Sequence, residues 1–524
     1  VAGNSAYAFS LMLFAFLLGL GGGASVGRRL LVRREQALRF LAAMQLGLAA
    51  CILLGVFGWE AIPDYFASFA EYPHTRGFAA RELVRGAICC MMMIPPAIFI
   101  GAAYPLSMAC HVESARDPFR ATGRASAINT VGNVLGAFVG SFVLVPYLGA
   151  LRSLQTLACV AGTLGVVAAL ACLPAIRTKA LVPVPLVVLL LLVQPRAFDL
   201  NRLASGANVY FEEQGYGTVV DHAESADGGL TMVTELFDGN GQRVLTLLTN
   251  GKFQGDDSKS REMAAQTGFG LFPLLHTTAR DRALVIGYGT GVSARTVSDA
   301  GFGHTDVVDL SADIFTIANK YFRSVNAGVT DRPNVTAHVT DGRNFLLLSD
   351  KRYDLIGLEI SSIWFAGAAS LYNREFYQLV KSRLTEHGVL QQWVQLHRLS
   401  PRDLASIFAS LKAEFENVWL YYGAGQGVLV ACAHDCQPNR ETIARIDATP
   451  ALGYALAHYG GKAEKLLQSK LLGPSELQAF IDSVGVPFDE LVSTDDNLFL
   501  EYSTPRGNVW PYRDSIRKNV AMLS

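Results

Sequence analysis

The stretch that decides the fold reads Arg282-Ala-Leu-Val-Ile-Gly287-Tyr-Gly289-Thr-Gly291-Val, and Asp306-Val-Val-Asp309 follows it. A short apolar run, a glycine-rich turn, a helical stretch and a second apolar run ending in a carboxylate predict a β-α-β unit. Glycines in the turn let the backbone approach a ligand closely, and a carboxylate about 20 residues on can accept hydrogen bonds from ribose hydroxyls. The stretch therefore predicts a nucleoside site at the carboxyl edge of a parallel sheet.

The spacing of the glycines narrows the choice of nucleoside. A dinucleotide fingerprint has its third glycine where Val292 stands, whereas this chain has G-x-G-x-G at Gly287, Gly289 and Gly291. The shorter pattern is typical of folds that bind S-adenosylmethionine, in which no pyrophosphate lies at the helix N-terminus. We therefore favour a sulfonium nucleoside over a dinucleotide.

Composition divides the chain into two parts. Hydrophobic residues make up 51% of the sequence and charged residues 17%, which is too apolar for an ordinary soluble protein, and the apolar excess lies in the first 200 residues. Runs long enough to cross a bilayer as helices occupy 6–22, 37–59, 87–108, 127–148 and 154–174, and a shorter run occupies 181–193. We therefore expect a multi-pass α-helical membrane domain over residues 1–200.

Basic residues suggest how these helices are oriented. Arg28, Arg29, Arg33 and Arg34 follow the first span, and Arg116, Arg120 and Arg124 follow the third, so both segments should face the cytoplasm. If the run 181–193 crosses the membrane, everything after it lies outside; if the run lies in the interface, the C-terminal part is cytosolic. Because S-adenosylmethionine is expected in the cytosol, we expect an inner-membrane protein with a cytosolic C-terminal domain. The sequence begins without Met inside an apolar segment, so we expect the true N-terminus upstream.

The C-terminal part of the sequence divides into a short strand-rich segment and a longer segment in which strands and helices alternate. Asp238-Gly-Asn-Gly241 is typical of a hairpin turn between Leu230–Phe237 and Arg243–Thr249, which predicts a small antiparallel β domain over residues 201–252. From residue 253 to residue 524, strand and helix patterns alternate, as in an α/β Rossmann-like domain with a parallel sheet. Ligands of such sheets lie beyond the carboxyl ends of the strands.

Carboxylates follow three of the predicted strands. Asp309 could accept from ribose, or could instead cap the next helix together with Ser311. Asp341 could accept from an adenine amino group or could cap the helix that follows it. Glu359 could bind the amino-acid moiety of the nucleoside, could position an amine nucleophile, or could simply end a strand at the surface.

Two other functional classes are disfavoured. The net charge of −1 gives no field that would favour nucleic acid. Cys432 and Cys436, with His434 between them, could hold a metal ion, but zinc needs about four ligands and the sequence has no second cluster. We therefore expect neither a nucleic-acid partner nor a metal site.

Several motifs together resemble one family. They are Leu248-Thr-Asn250-Gly251-Lys252-Phe-Gln254, the glycine loop ending at Gly291, Val339-Thr-Asp341-Gly-Arg343-Asn-Phe, Leu371-Tyr-Asn-Arg-Glu375-Phe-Tyr377, Gln392-Trp393-Val-Gln395 and Ser493-Thr-Asp495-Asp496-Asn497-x-x-Leu-Glu501. Over residues 210–506 the chain resembles the polyamine aminopropyltransferase (spermidine synthase) family, in the form fused to a membrane domain. Residues 123–149 are similar to the membrane part of that branch.

The resemblance implies a transferase whose donor is S-adenosylmethionine or its decarboxylated form. Together with the strand-end pattern it assigns donor binding to Gln254, Gly287, Gly289, Gly291, Asp309, Leu310, Asp341, Gly342 and Glu359. Glu359 would be the base or orienting acid, helped by Tyr216 or Asp495. The implied partners are the lipid bilayer and a small amine or lipid-headgroup acceptor, and a homodimer is left open.

The chain departs from the family at the acceptor motifs. Soluble members carry Asp-Ser-Ser-Asp where this chain has Glu359-Ile-Ser-Ser, so the first acid is kept in a longer form and the second is replaced by Ser362 or Ile363. The family's Tyr-Gln pair is Tyr216-Gly217 here, and Asn250 replaces the usual Asp. Fewer carboxylates stabilise two ammonium groups less well, which leaves a dicationic diamine in doubt as the acceptor.

Two alternatives to aminopropyl transfer therefore stay open. One is methyl transfer to a lipid or another hydrophobic acceptor. The other is a non-catalytic protein that senses or transports nucleosides or polyamines. The near absence of ionisable residues in the spans counts against transport.

Overall fold

The computed structural model describes residues 3–30, 34–70, 72, 76–112, 117–172, 174–225, 229–259, 261–359 and 362–524. Arg33 and Arg116, which the orientation argument uses, lie outside the described residues, and so do two residues of the Glu359-Ile-Ser-Ser motif.

The N-terminal part is built from helices. They are α1 (Ala6–Arg29), α2 (Arg34–Trp59), α3 (Ile62–Ala67), α4 (Phe78–Val112), α5 (Pro118–Val139), α6 (Val145–Leu170), α7 (Pro174–Ala180), α8 (Val184–Leu192), α9 (Leu200–Ala204) and α10 (Ala207–Tyr210). A π-helical turn, Gly140–Leu144, joins α5 to α6.

Four helices in the described part of the chain are long and apolar enough to cross a membrane, judged by length and composition. They are Ala6–Arg29, Gln36–Trp59, Phe78–Val112 and the continuous stretch Pro118–Leu170. The last one holds most of the two expected runs 127–148 and 154–174, which a break at Gly149 separates (φ 73°, ψ 170°). Two expected spans are therefore joined end to end without an intervening loop.

The run 181–193 packs along α2. Its helix α8 has nine residues and is too short to span a bilayer alone. However, the chain follows α2 along its length: Ala180 clusters with Ala42, Val187 clusters with Ala49, and the Gln194 side chain donates to the Leu53 carbonyl (3.0 Å). The segment therefore runs from the beginning of α2 towards its end, parallel to it.

The small sheet is antiparallel, in the order β1 (Thr218–Glu224), β2 (Leu230–Phe237), β3 (Arg243–Thr249) and β4 (Lys252–Asp256). The expected hairpin is present, and the Asp238 carboxylate stabilises its turn by accepting from the backbone N–H of Asn240 and Gln242, each at 2.8 Å. Because β4 continues to pair with β3 as far as Asp256, this sheet extends four residues beyond the expected boundary at 252.

The large sheet has eight strands in the order β12-β10-β11-β9-β8-β5-β6-β7. Its strands are β5 (Arg282–Ile286), β6 (His304–Asp309), β7 (Val335–Val339), β8 (Tyr353–Leu358), β9 (Leu384–Val394), β10 (Asn417–Gly423), β11 (Gln426–Cys432) and β12 (Lys470–Leu472). Strands β5 to β9 are mutually parallel. Strands β11, β10 and β12 extend the sheet beyond β9, and each of them pairs antiparallel with the strand before it. This arrangement confirms the Rossmann-like core, and the sequence pattern did not predict the antiparallel extension.

Helices cover both faces of this sheet. They are α11 (Arg261–Leu274), α12 (Val292–Asp299), α13 (Ala312–Tyr321), α14 (Arg323–Asn326), α15 (Gly342–Leu348), α16 (Arg374–Arg383), α17 (Pro401–Lys412), α18 (Arg440–Asp447), α19 (Gly453–Ala457), α20 (Pro474–Ser483), α21 (Phe488–Leu491), α22 (Phe499–Ser503) and α23 (Tyr512–Leu523). Two apolar clusters fill the layers between the helices and the sheet. The order of the strands reverses between β5 and β8, and a crevice is expected at the carboxyl ends of these two strands.

The two parts of the chain meet at one end of the helices. The Asn4 carbonyl, just before α1, accepts from Ala366 N–H (2.8 Å), and Tyr7 donates to the Tyr502 carbonyl (2.9 Å). The N–H of Ala150, next to the break in the α5–α6 stretch, donates to Glu224 (2.6 Å). The start of α1 and the break at Gly149 therefore lie on the same side, against the C-terminal part.

Candidate active site

A cleft of about 610 Å³ lies at the carboxyl edge of the parallel strands, next to the small antiparallel sheet. Of the residues expected to bind a donor or to act in catalysis, Tyr216, Gln254, Gly287, Gly289, Asp309, Leu310 and Glu359 line it. The crevice predicted from the strand order therefore exists, and most of the expected residues meet there.

The glycine loop forms the floor of the cleft. Gly287 has φ 95°, and a Cβ atom at this position would come within 3.2 Å of the Glu359 Cβ. Only glycine fits this combination of left-handed backbone and close approach. Gly291 is the last residue of the glycine loop and immediately precedes α12, with φ 85°. A Cβ atom there would lie 2.7 Å from the Tyr288 ring. Gly287 thus brings the backbone of the loop next to Glu359.

Asp309 connects the glycine loop to the segment before α13. Its carboxylate accepts from Tyr288 N–H (2.8 Å) in the glycine loop and from Ser311 N–H (3.0 Å) before α13. Burial raises the pKa of this carboxyl, and the backbone hydrogen bonds oppose that rise. The carboxylate is thereby held in place by backbone donors while it lines the cleft, which is the arrangement that a ribose-binding acid needs.

Glu359 follows β8 directly, and its backbone N–H donates to the Ile286 carbonyl at the end of β5 (2.8 Å). Burial raises the pKa of its carboxyl well above the usual range, and a hydrogen bond with Ser293 offsets this only in part. A carboxyl group in such an environment takes up a proton readily, as a general base must.

Tyr216 and Tyr210 stand together at the side of the cleft formed by the small sheet. Their hydroxyls are hydrogen-bonded to each other, and burial raises the pKa of the Tyr216 phenol far above neutrality. Tyr216 therefore stays protonated and can orient a ligand through its hydroxyl, but it cannot act as a base near neutral pH.

Besides Gly291, three of the expected residues lie outside the lining of the cleft. Asp341 caps α15 by accepting from Asn344 N–H (2.8 Å), and a Cβ on Gly342 would lie 2.4 Å from the Ile286 side chain. Asp495 accepts from Arg343 (3.0 Å) and from Asn373 (3.1 Å), and the guanidinium lowers its pKa. None of the three lines the cleft. Asp495 thus links α15 to the C-terminal helices and is not positioned as a catalytic partner of Glu359.

The sequence reasoning missed a group of basic side chains in the cleft. Lys252 lines it, and burial lowers the pKa of its ammonium to about 7, although nearby Glu262 opposes the shift. His397 and Arg398, just after β9, line the cleft as well. Lys252 lies in the motif Leu248–Gln254, so its position in the sequence could have indicated that it belongs to the site. The approach of His397 and Arg398 to Lys252 is a long-range contact that no local pattern reveals.

Arg398 is held in a strained backbone conformation. Its φ is 57°, a value that a non-glycine residue adopts at a cost and that is often found at functional sites. Its Cζ lies 5.0 Å from the centre of the Tyr210 ring, and its Nε donates to the Trp510 carbonyl (3.2 Å). These contacts fix the guanidinium beside the tyrosines.

The cysteine group lies outside the cleft. Cys432 and Cys436 are paired as a disulfide, with Cα atoms 6.5 Å apart. Both cysteines are buried. A ring nitrogen of His434 lies within 4.8 Å of both sulfur atoms.

Comparisons with known proteins agree with this geometry. Residues 263–423 match the spermine/spermidine synthase domain. This region is a spermidine synthase-like transferase domain. The match begins in α11, ends with β10, and contains the glycine loop, Asp309 and Glu359.

Curated relatives of the spermidine synthase-like chain carry aminopropyltransferase names. The polyamine aminopropyltransferase of Corynebacterium efficiens is 27% identical over 412 residues, which is 74% of each chain. The polyamine aminopropyltransferase 2 of Pseudomonas aeruginosa is 29% identical over 188 residues, which is 35% of this chain and 52% of that protein. Among solved structures, spermidine synthase from Thermotoga maritima is 17% identical with a TM-score of 0.41, covering 50% of this chain and 87% of that one.

Proposed function

We propose that the protein is a membrane-bound transferase that moves an aminopropyl or related alkyl group from decarboxylated S-adenosylmethionine, or from S-adenosylmethionine itself, to an amine. The observation that carries this proposal is the placement of Glu359 beside Gly287, in the same cleft as Asp309. The names of the relatives support the aminopropyl group. The residues that would hold the donor are Gly287, Gly289, Asp309, Leu310 and Gln254, all in the lining of the cleft.

The protein does not need to activate the electrophile, because the carbon attached to the sulfonium is already activated. The amine nitrogen attacks the carbon attached to sulfur, the C–N bond forms as the C–S bond breaks, and a neutral thioether leaves. The Glu359 carboxylate accepts the proton that the nitrogen loses, and Tyr216 orients the reactants through its hydroxyl. The main contributions of the chain are alignment and removal of a proton.

A methyltransferase acting on a lipid or hydrophobic acceptor is the second candidate, and one contact favours it. Trp364 lines both the cleft and a small cavity formed with Asn4 and Phe78 at the ends of the N-terminal helices. An acceptor held by those helices would therefore reach the cleft past Trp364. The four long apolar helices support insertion in a membrane as a multi-pass protein.

The test uses the purified full-length protein with donor labelled separately in its methyl group and in its aminopropyl or aminocarboxypropyl chain, together with amines and membrane extract. Mass spectrometry of the products shows which group moves. Transfer of the three-carbon chain supports the proposal, transfer of methyl supports the second candidate, and binding of NAD in preference to all sulfonium nucleosides would refute both.

The matched variant is Glu359→Gln, which keeps the shape of the side chain but removes the base. Turnover should fall by roughly 10²–10⁴-fold, while affinity for the nucleoside changes little. Asp495→Asn is the control, and it should leave turnover within a few-fold of the wild type once folding has been verified. Normal turnover of Glu359→Gln would show that the base lies elsewhere.

A further inference from the structure

The acceptor side of the cleft is basic. The ends of neighbouring strands place the residues in a row. His397 and Arg398 come after β9, Glu359 follows β8, Gly287 follows β5 and Asp309 is the last residue of β6. These strands are adjacent in the order β9-β8-β5-β6. Neighbouring strands lie about 5 Å apart. Glu359 is therefore between the nucleoside residues and the basic pair.

Lys252 joins this basic end from the small sheet. Its Nζ lies 5.5 Å from the centre of the Phe365 ring. Burial lowers the pKa of the nearby His397 imidazole, and the charges of Arg398 and Lys252 lower it further. Tyrosines complete the surroundings: Arg398 lies against Tyr210, and the His397 ring lies 4.5 Å from that of Tyr512. Acidic groups also act on this end: Glu262 interacts electrostatically with Lys252, and Glu212 with Arg398.

We propose that Lys252 and Arg398 bind an anionic group, a phosphate or a carboxylate, on the same acceptor molecule whose amine reacts beside Glu359. This inference rests on the proposed function and specifies its substrate class. A dicationic diamine would place its second ammonium among these cations, whereas an amino-phosphate would place its anion there. An Arg–phosphate contact is charge-assisted and often bidentate. The proximity of Trp364 to the N-terminal helices makes an aminophospholipid headgroup one source of such an acceptor, and a soluble amino-phosphate is the other.

Binding tests this without requiring turnover. Trp364 and Trp393 line the cleft, so the tryptophan fluorescence of the full-length protein in detergent can report its occupancy. Phosphoethanolamine should bind roughly 10–100-fold more tightly than ethanolamine or putrescine, on the scale of one or two charged hydrogen bonds. Arg398→Gln and Lys252→Met should each remove most of that difference, and Arg402→Gln, an exposed residue four positions later, should not. Equal binding of the three amines, or an unchanged difference in both variants, would overturn the inference.

Measurements of turnover then distinguish a lipid acceptor from a soluble one. They also distinguish failure of the proposed anion site from failure of the proposed transferase function. Vesicles that contain phosphatidylethanolamine should be alkylated if the acceptor is a lipid, and phosphoethanolamine should be alkylated if it is soluble. Transfer to putrescine at an equal rate, unaffected by Arg398→Gln, would refute the anionic acceptor and leave the proposed transferase standing. Tight phosphoethanolamine binding without transfer to any amine would refute the transferase and leave the anion site standing.

A different observation bears on the side of the membrane where the cleft lies. The C-terminal domain contacts the start of α1 and the break at Gly149, and Asp199 N–H bonds Glu60 just after α2 (3.0 Å). Among the described residues, the segments at the opposite end of the helices carry Arg28, Arg29, Arg34, Arg120, Arg124, Arg177 and Lys179, whereas those at the domain end carry Arg76, Arg81, Arg85 and Arg152. Basic residues are enriched on the cytoplasmic side of membrane proteins.

We infer that the spermidine synthase-like domain lies on the extracytoplasmic face. The path of residues 180–194 along α2 supports this orientation. It brings the chain back from the end of the helices that is rich in arginine to the end that contacts the C-terminal domain. The arrangement does not support the expected cytosolic placement, which rested on the donor alone, and both reactants would have to be available outside the cytosol.

Labelling in intact cells decides the orientation. Ala479→Cys introduces a thiol on the exposed surface of α20, and Thr178→Cys introduces one at the basic end of the helices. In intact cells, a membrane-impermeant maleimide should label Ala479→Cys but not Thr178→Cys. In permeabilised cells it should label both variants. The parent protein, which lacks both introduced thiols, measures the background labelling. The reverse pattern in intact cells would place the domain in the cytosol and overturn the inference.

Discussion

At the residue scale, two carboxylates that follow neighbouring strands have different expected roles. Asp309 lines the cleft and is oriented by two backbone N–H groups, whereas Asp341 caps α15. Asp309→Ala should weaken binding of S-adenosylmethionine or its decarboxylated form by about 1–3 kcal/mol, the cost of a lost charged hydrogen bond. Asp341→Ala should leave that affinity nearly unchanged and lower the stability by about 1 kcal/mol. Calorimetry and thermal unfolding measure the two effects, and equal losses of affinity would contradict this division.

Lys252 gives a prediction that depends on pH. The ordinary pKa of 10.5 applies to the unfolded chain, and burial lowers the pKa to about 7 in the folded protein. Between these values the unfolded state binds one more proton, so that stability rises with pH, and the cost of burying the ammonium is fully present below pH 7. Lys252→Met should therefore stabilise the protein most at and below pH 7, and the gain should vanish towards pH 10.5. Thermal unfolding across this range tests it, with the exposed Lys470→Met as a control that should show no such trend.

At the scale of single elements, the sequence predicted the features that depend on residues close together in the chain. The hairpin between β2 and β3, the glycine turn after β5 and the strand–helix alternation from β5 to β8 follow from turn chemistry and apolar periodicity, and the structure has them. The role of Asp495 and the antiparallel strands β10 to β12 depend on pairing between distant segments. The same holds for Lys252 and Arg398, which come from β4 and from the loop after β9. Sequence spacing carries no information on such encounters.

The break at Gly149, inside α6, yields an element-scale prediction. Gly149 has φ 73° and ψ 170°, a region that only glycine occupies without strain, and a Cβ there would lie 3.3 Å from the Glu224 carboxylate. Gly149→Ala should lower stability by about 1–3 kcal/mol. The control is Gly136→Ala in α5, where no atom lies within 4 Å of the added Cβ, and a gain of about 0.5–1 kcal/mol is expected. If thermal unfolding shows the same change for both variants, the break is not a fixed feature.

At the scale of the whole molecule, the ends of the N-terminal helices form one wall of the transferase part. Ala366, in the loop after Glu359, donates to the Asn4 carbonyl, and Trp364 in the same loop lines both the cleft and the cavity at the helix ends. A disturbance at the start of α1 can thus reach the acceptor side of the cleft without touching the nucleoside residues. Under the proposed function, we therefore expect the fusion of the two parts to affect the entry of an acceptor more than the proton transfer proposed for Glu359.

Tyr7 is the residue with which to test this coupling. Its hydroxyl donates to the Tyr502 carbonyl (2.9 Å) and accepts from Arg506 (3.2 Å), and its ring packs against Phe78 (5.0 Å between centroids). Tyr7→Ala should lower turnover of an acceptor presented in vesicles by roughly tenfold, because misplacing the entry route costs alignment. Turnover of a soluble acceptor should stay within about twofold, since the residues that bind the nucleoside are untouched. Tyr104→Ala, at the other end of α4, should change neither rate; an equal loss with both acceptors in Tyr7→Ala would show that the helices only stabilise the fold.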